Sequence, residues 1–149
     1  GPRRQCRARR GAGMTPQAVA DLLQSVFGCA CGALGDGAPF ALRSPEGEVI
    51  ELRYVADLPA LCAAIALGRL DEAHREEALV RLLRTNLHLA HAGGPHGALA
   101  PQGAQVHLCW TLPLDGGDTA RLAERLRRLV AAASPMRAAL VADHVLCEP

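Results

Sequence analysis

The chain of 149 residues contains no lysine; all sixteen of its basic residues are arginine. Aromatics are nearly missing too. Phe27, Phe40, Tyr54 and Trp110 are the whole set, so little is available to stack on bases, and single-strand nucleic-acid binding is disfavoured. No apolar run approaches the twenty or so residues of a membrane span, and no charged start, apolar stretch and cleavage site mark a signal peptide. The glycine clusters "GDG", "GGPHG" and "DGGD" lack the Lys-Ser/Thr of a phosphate-binding loop and read as turns. Six cysteines (Cys6, Cys29, Cys31, Cys62, Cys109, Cys147) are irregularly spaced in a chain long enough to build its own core, which reads as cytosolic thiols rather than a disulfide framework.

What remains is a Leu-, Ala- and Val-built domain over residues 14–149. Residues 1–13 are set apart. They hold five arginines between Arg3 and Arg10, no acid and no apolar periodicity, and Gly1-Pro2 has the look of a protease scar, so the segment reads as a disordered basic leader or an expression remnant. Without it, eleven arginines stand against fifteen acids, a formal charge of −4. A mildly acidic body argues against nucleic-acid and membrane partners despite the basic leader.

Thr15-Pro16 gives an N-cap and a proline at the first helical position, and Val19, Leu22, Leu23, Val26 and Phe27 then recur on one helical face. "PFALRSPEGEVIELRYV" is a hairpin with its turn at Ser44-Pro45-Glu46-Gly47. "LPALCAAIALGRL" is ambiguous, since its alanines favour helix while Leu61, Ala63, Ile65 and Leu67 alternate as in a strand, and on that alternation it reads as a third strand. Asp71 is a candidate cap for a second helix that stops at Gly93-Gly94. A short "ALAP" strand and the cleanest strand, "QVHLCWTLPL", follow. Leu122, Leu126, Leu129, Val130 and Ala133 then mark a last amphipathic helix, expected to be interrupted or kinked at Pro135. The expected class is α+β: a mainly antiparallel five-stranded sheet with three helices in the order α-β-β-β-α-β-β-α.

The second helix is too apolar for one neighbour. Leu79, Leu82, Leu83, Leu87, Leu89 and Ala90, with Val80 at the margin, spread over roughly 220° of its circumference, about twice what a surface helix buries. Glu77, Arg81, Arg84 and His88 share the narrow remaining strip, and Asn86 sits inside the apolar arc, either as a satisfied amide or as a polar group fixing register between two helices. Two covers are expected: the chain's own sheet, and more of the same domain or a second chain.

Signs of catalysis are weak, and neither catalytic nor metal-binding residues nor a cofactor are assigned. His88 and His91, three apart, have arginines as neighbours and no Glu or Cys at ligand spacing; Cys29-Ala-Cys31 lacks the two-residue gap of redox and zinc motifs. A small thiol- or metal-dependent enzyme using these four residues is the alternative of a different class.

Taken together, "LLQSVFG", "FALRSPEGEVIELRY", "ALGRLD" leading into "LLRTNLHLAHAGG", "GALAPQGAQVHLCWTLPLD" and "LAERLRRLVAAA" resemble, in order and spacing, the class I chaperones of bacterial type III secretion, the Tir chaperone family. The likeness runs through nearly all of residues 15–142. The alanine-rich third strand, Met136 in place of a frequent aromatic, and the basic leader depart from the family pattern. The resemblance implies that residues 58–67 form a strand. It further implies a bacterial, cytoplasmic, non-enzymatic homodimer that binds the N-terminal segment of a secreted effector, keeps it soluble without ATP and presents it to the export machinery. A structural subunit of the secretion apparatus, homodimeric or heterodimeric, is barely separable from this by sequence. On the resemblance, Leu79, Leu82, Leu83, Asn86 and Leu87 belong to the dimer interface. The effector-binding groove is placed among Val19, Leu22, Leu23, Val26, Val106, Leu108 and Trp110, residues that can equally be core.

Overall fold

Ser44, Pro45, Glu46 and Gly47 reverse the chain as their composition predicts. In the computed structural model, which describes residues 13–28, 34–57, 59–114 and 116–149, the Gly47 amide donates to the Ser44 carbonyl at 2.9 Å with Gly47 in the left-handed region (φ 92°). The Ser44 hydroxyl accepts from the Glu48 amide at 3.1 Å. This turn pairs β1 (Pro39–Arg43) with β2 (Val49–Val55) in antiparallel register, Leu42 facing Ile50. Residues 1–12 of the basic leader lie outside the described residues.

The ambiguous alanine-rich run is a strand, β3 (Ala60–Arg69). It lies between β2 and β5 (Gln105–Pro113), so its backbone groups are taken up on both sides, and its small side chains cost nothing that the pairing does not supply. Strand β4 (His96–Leu99) pairs outside β5, giving one antiparallel sheet in the order β1-β2-β3-β5-β4. Leu61, Ala63, Ile65 and Leu67 of β3 and Val106, Leu108 and Leu112 of β5 are buried on one face. The residues between them, among them Cys62, Ala64, Cys109 and Thr111, face the other way and stay partly or wholly exposed.

Two helices cover the buried face. Helix α1 (Pro16–Phe27) starts where Thr15 Oγ1 accepts from the Ala18 amide and ends at Gly28 in the left-handed region. Helix α3 (Thr119–Ala142) starts where Asp118 accepts from the Arg121 amide, and packs on α1, β3 and β5. It buries Leu122, Leu126, Leu129, Ala133 and Leu140. Of the interruption or kink expected at Pro135, the interruption does not occur; the helix runs through the proline. Pro135 lies on the exposed side, as does Ala131, the residue whose carbonyl loses its amide partner, so water can serve that carbonyl. After α3 the chain folds back: Val145 and Leu146 are buried, and the Cys147 amide donates to the Arg69 carbonyl.

Asp71 caps, but not directly the long helix. It accepts from Ala73 at the start of a short 3₁₀ turn (Glu72–His74), and α2 (Arg75–His91) begins after it. The element order is the expected one with this turn added.

One side chain ties three regions together. Strand β3 bulges between Ala66 and Gly68, and a bulge leaves carbonyls without ladder partners. Arg137 of α3 reaches them: its Nε donates to the Leu67 carbonyl at 3.0 Å and Nη2 to the Ala66 carbonyl at 3.1 Å. Both Nη atoms also meet the Glu48 carboxylate, at 3.1 and 3.0 Å, beside the first turn. Helix, bulge and hairpin are thus locked by one planar fork, which lysine could not reproduce. Arg137→Ala is expected to lower stability by about 1–3 kcal/mol, read as a lower midpoint in urea; Arg137→Lys should recover only part of the loss.

Candidate interaction site

Helix α2 packs at the margin of the sheet, where Ala78 and Leu82 join the core. It rests on β4, the edge strand, and among its residues only Ala78 and Leu82 are buried. Leu82 fits there because residue 97 is glycine: a Cβ on Gly97 would lie 2.8 Å from Leu82 Cδ1. Asn86, one turn on, holds the same glycine with both ends of its amide. Its Nδ2 donates to the Gly97 carbonyl at 2.7 Å, and its Oδ1 accepts from the Gly97 amide at 2.8 Å. The side chain stands in for a neighbouring strand and closes the centre of β4's outer edge. The Asn86 amide is thus satisfied within the chain.

The rest of the apolar arc is uncovered. Leu83 is 67% exposed, Leu87 58% and Val80 46%, all on the side of α2 away from β4, while Leu79 is half-buried. The second cover inferred from the helical pattern is absent among the described residues, while the first is the chain's own sheet, met at its edge strand β4. Fully burying a leucine contributes about 1.5–3 kcal/mol, so this face is a strong candidate for association. Beside it run Arg81, Arg84 and His88; Arg81 donates through Nη1 to the Asp143 carbonyl at the end of α3. Val80, which the pattern placed at the margin, is exposed along with Leu83 and Leu87.

The residues expected to line a groove fall into two sets. Val19, Leu23, Val106 and Leu108 are fully buried core and present no surface. Leu22 and Val26 on α1 and Trp110 on β5 are partly exposed while packing on the core. Over the Trp110 ring lie two guanidinium groups of α3, Arg128 at 5.4 Å and Arg125 at 6.0 Å from its centre. Sequence periodicity marked Trp110 but not this pair, because helix-to-strand register is invisible to it.

For the enzymatic alternative, Cys29 and Cys31 lie outside the described residues, and His88 and His91 are exposed on the last turns of α2. Among the described residues no group of three or more His, Cys, Asp or Glu side chains is placed to hold a metal ion, and no helix is long and apolar enough to cross a membrane. Burial pushes the Cys109 thiol above its ordinary range, helped by the charges of Cys62 and Glu51. That direction suppresses the thiolate a nucleophile needs.

Residues 33–137 match the model of the Tir chaperone protein (CesT) family. Comparison with curated protein sequences gives no significant match. Among solved structures the chain is similar to one in the crystal structure of the ExsC–ExsE complex, with a TM-score of 0.66 at 18% identity over 84% of this chain and 95% of that one. It is also similar to one in the HopA1–SchA chaperone–effector complex, with a TM-score of 0.60 at 15% identity over 79% of this chain and 88% of that one. At these identities the likeness establishes the fold.

Two outcomes follow from the geometry. Asn86→Ala removes both partners of Gly97, so stability should fall by about 1–3 kcal/mol and the Gly97 amide should exchange faster with deuterium. Alkylation by iodoacetamide at mildly alkaline pH, followed by mass spectrometry, should label exposed Cys147 well before Cys109.

Proposed function

The chain belongs to the Tir chaperone protein (CesT) family, and from that premise we propose that it is a type III secretion chaperone working as a homodimer without ATP. The observation that carries the reading is the uncovered Val80–Leu83–Leu87 face of α2. A contiguous leucine-bearing helix face of this kind marks a surface that another surface meets, and a twofold copy supplies a self-complementary one. Leu79 adds to its margin, while Leu82 and Asn86 hold the helix on its own sheet and present it.

The client is the extended N-terminal segment of a secreted effector. Such a segment gains main-chain hydrogen bonds by joining a sheet edge and places apolar side chains in nearby grooves. Asn86 already occupies Gly97 at the β4 edge, so β1 is the edge this reading assigns to an added strand. Leu22 and Val26 of α1 and Trp110 offer the apolar contacts. Two copies of the chaperone hold one long segment at two places, so the first contact raises the effective concentration for the second. Held extended, the client stays soluble and is presented to the export machinery. The work is done by binding, with no chemical step; one solved relative in fold is described as a chaperone–effector complex.

Leu83→Glu tests the assembly: the mass from sedimentation or light scattering should drop to that of one chain, or soluble expression should be lost. A folded dimer of unchanged mass excludes this face. Co-expression with the candidate effector's N-terminal segment tests the client, which should become protease-resistant at one segment per two chaperone chains.

A further inference from the structure

Helix α3 carries Arg121, Arg125 and Arg128 at intervals of four and three, so their guanidinium groups form one stripe. None is in an ion pair among the described residues, whose pairs are His74–Asp71, Arg75–Glu72 and Arg137–Glu48. Asp118, at the head of the stripe, is committed through Oδ1 to the Arg121 amide at 3.0 Å. The stripe is also held in place. Arg125 and Arg128 lie over the Trp110 ring, a contact that engages the face of a guanidinium and leaves its in-plane N–H groups for hydrogen bonding. At the Arg121 end, a cavity of about 250 Å³ is lined by the charged side chains of Asp118, Arg121 and Arg125 together with Met14, Pro113, Leu114 and Leu122. Arg121 and Arg125 outnumber the carboxylate of Asp118 in the cavity lining, on a body whose formal charge is −4.

We propose that the Arg121, Arg125 and Arg128 stripe is a docking site for an acidic, extended peptide segment of the client, with an apolar residue at one end entering the cavity. The inference rests on the client-binding function proposed above and specifies the client's chemistry. Along the helix the three arginines are about 6 and 4.5 Å apart, and alternate residues of an extended chain are about 6.6–6.8 Å apart. Carboxylates at alternate positions can each meet one long arginine side chain, in the paired geometry that favours arginine over lysine. A nucleic-acid strand fits less well, because the indole face that bases would stack on is already covered by guanidinium groups.

Trp110 is the only tryptophan, so its emission reports this site alone. Full-length protein is titrated with a synthetic peptide bearing Asp or Glu at alternate positions and a terminal leucine, with its Asn/Gln counterpart, and with a single-stranded oligonucleotide of equal charge. The acidic peptide should give a saturable change in emission, bind at least tenfold more tightly than the amide peptide, and weaken as salt is raised. The double variant R125Q/R128Q should lose at least tenfold in affinity, while Arg127→Gln, on the exposed side, should not. Equal binding of the two peptides, tighter binding of the oligonucleotide, no binding of the acidic peptide, or undiminished binding by a folded double variant each overturns the proposal. If the double variant does not fold, the salt and peptide comparisons on the unaltered protein decide. Capture of the effector's N-terminal segment is measured alongside. Client capture without acidic-peptide binding overturns the stripe and leaves the chaperone reading intact; acidic-peptide binding without client capture overturns the client as occupant.

Discussion

A single anchorage governs how this molecule presents itself: α2 hangs on the edge of the sheet by Leu82 against Gly97 and by the paired hydrogen bonds of Asn86. A helix docked on a sheet face would bury a broad stripe of side chains. Docked on an edge, α2 buries one narrow line, Ala78 and Leu82, and the remaining leucines turn outward. The same two hydrogen bonds that hold the helix also end the sheet at β4, so one asparagine both positions the exposed face and closes an edge that unpaired chains would otherwise extend.

The edge placement is forced by the other helices. α1 and α3 together occupy the apolar side of the sheet, with Val19, Leu23, Leu126 and Leu129 meeting Ile65, Val106 and Leu108 in one core. α3 is long enough to do most of this because Pro135 does not stop it, and Arg137 beyond the proline fixes its far half to the bulge of β3. Had the helix ended at Pro135, the Ala66 and Leu67 carbonyls and the Glu48 carboxylate would have lost the arginine that joins them.

The five strands and three helices were legible because each is bounded by residues with one strong local preference: Thr15-Pro16, the Ser44–Gly47 turn and Asp118 all act where the sequence puts them. β3 was legible only through the alternation of Leu61, Ala63, Ile65 and Leu67, since its alanines favour helix and pairing on both sides supports it as a strand. The candidate site was legible by half. The excess of leucine on α2 showed that a second cover is needed, but whether Val19, Leu23, Val106 and Leu108 are groove or core depends on what lies across from them, which helical and strand periods do not encode. Their complete burial makes them core in this fold. The arginines over Trp110 were hidden for the same reason: β5 and α3 meet in space, not in sequence.

The spacing of the leucines on α2 bears on the geometry of the proposed dimer. Leu79, Leu83 and Leu87 lie four apart, forming one ridge of the kind that packs into its own copy when two helices cross at about −50°. An axis through Leu83 sets that residue, the most exposed leucine of the helix, against itself and Leu79 of one helix against Leu87 of the other, so a half-buried and an exposed leucine complete each other. The antiparallel arrangement also opposes the two helix dipoles. It brings the acidic first turn, Glu76 and Glu77, toward the end of the other helix that carries His88 and His91. A parallel pairing would place like ends together and leave Leu79 facing its own copy, half-buried already, with nothing to fill. The ridge, the charges and the axis therefore favour the same antiparallel arrangement, and at that axis any charge introduced at position 83 is met by its own duplicate.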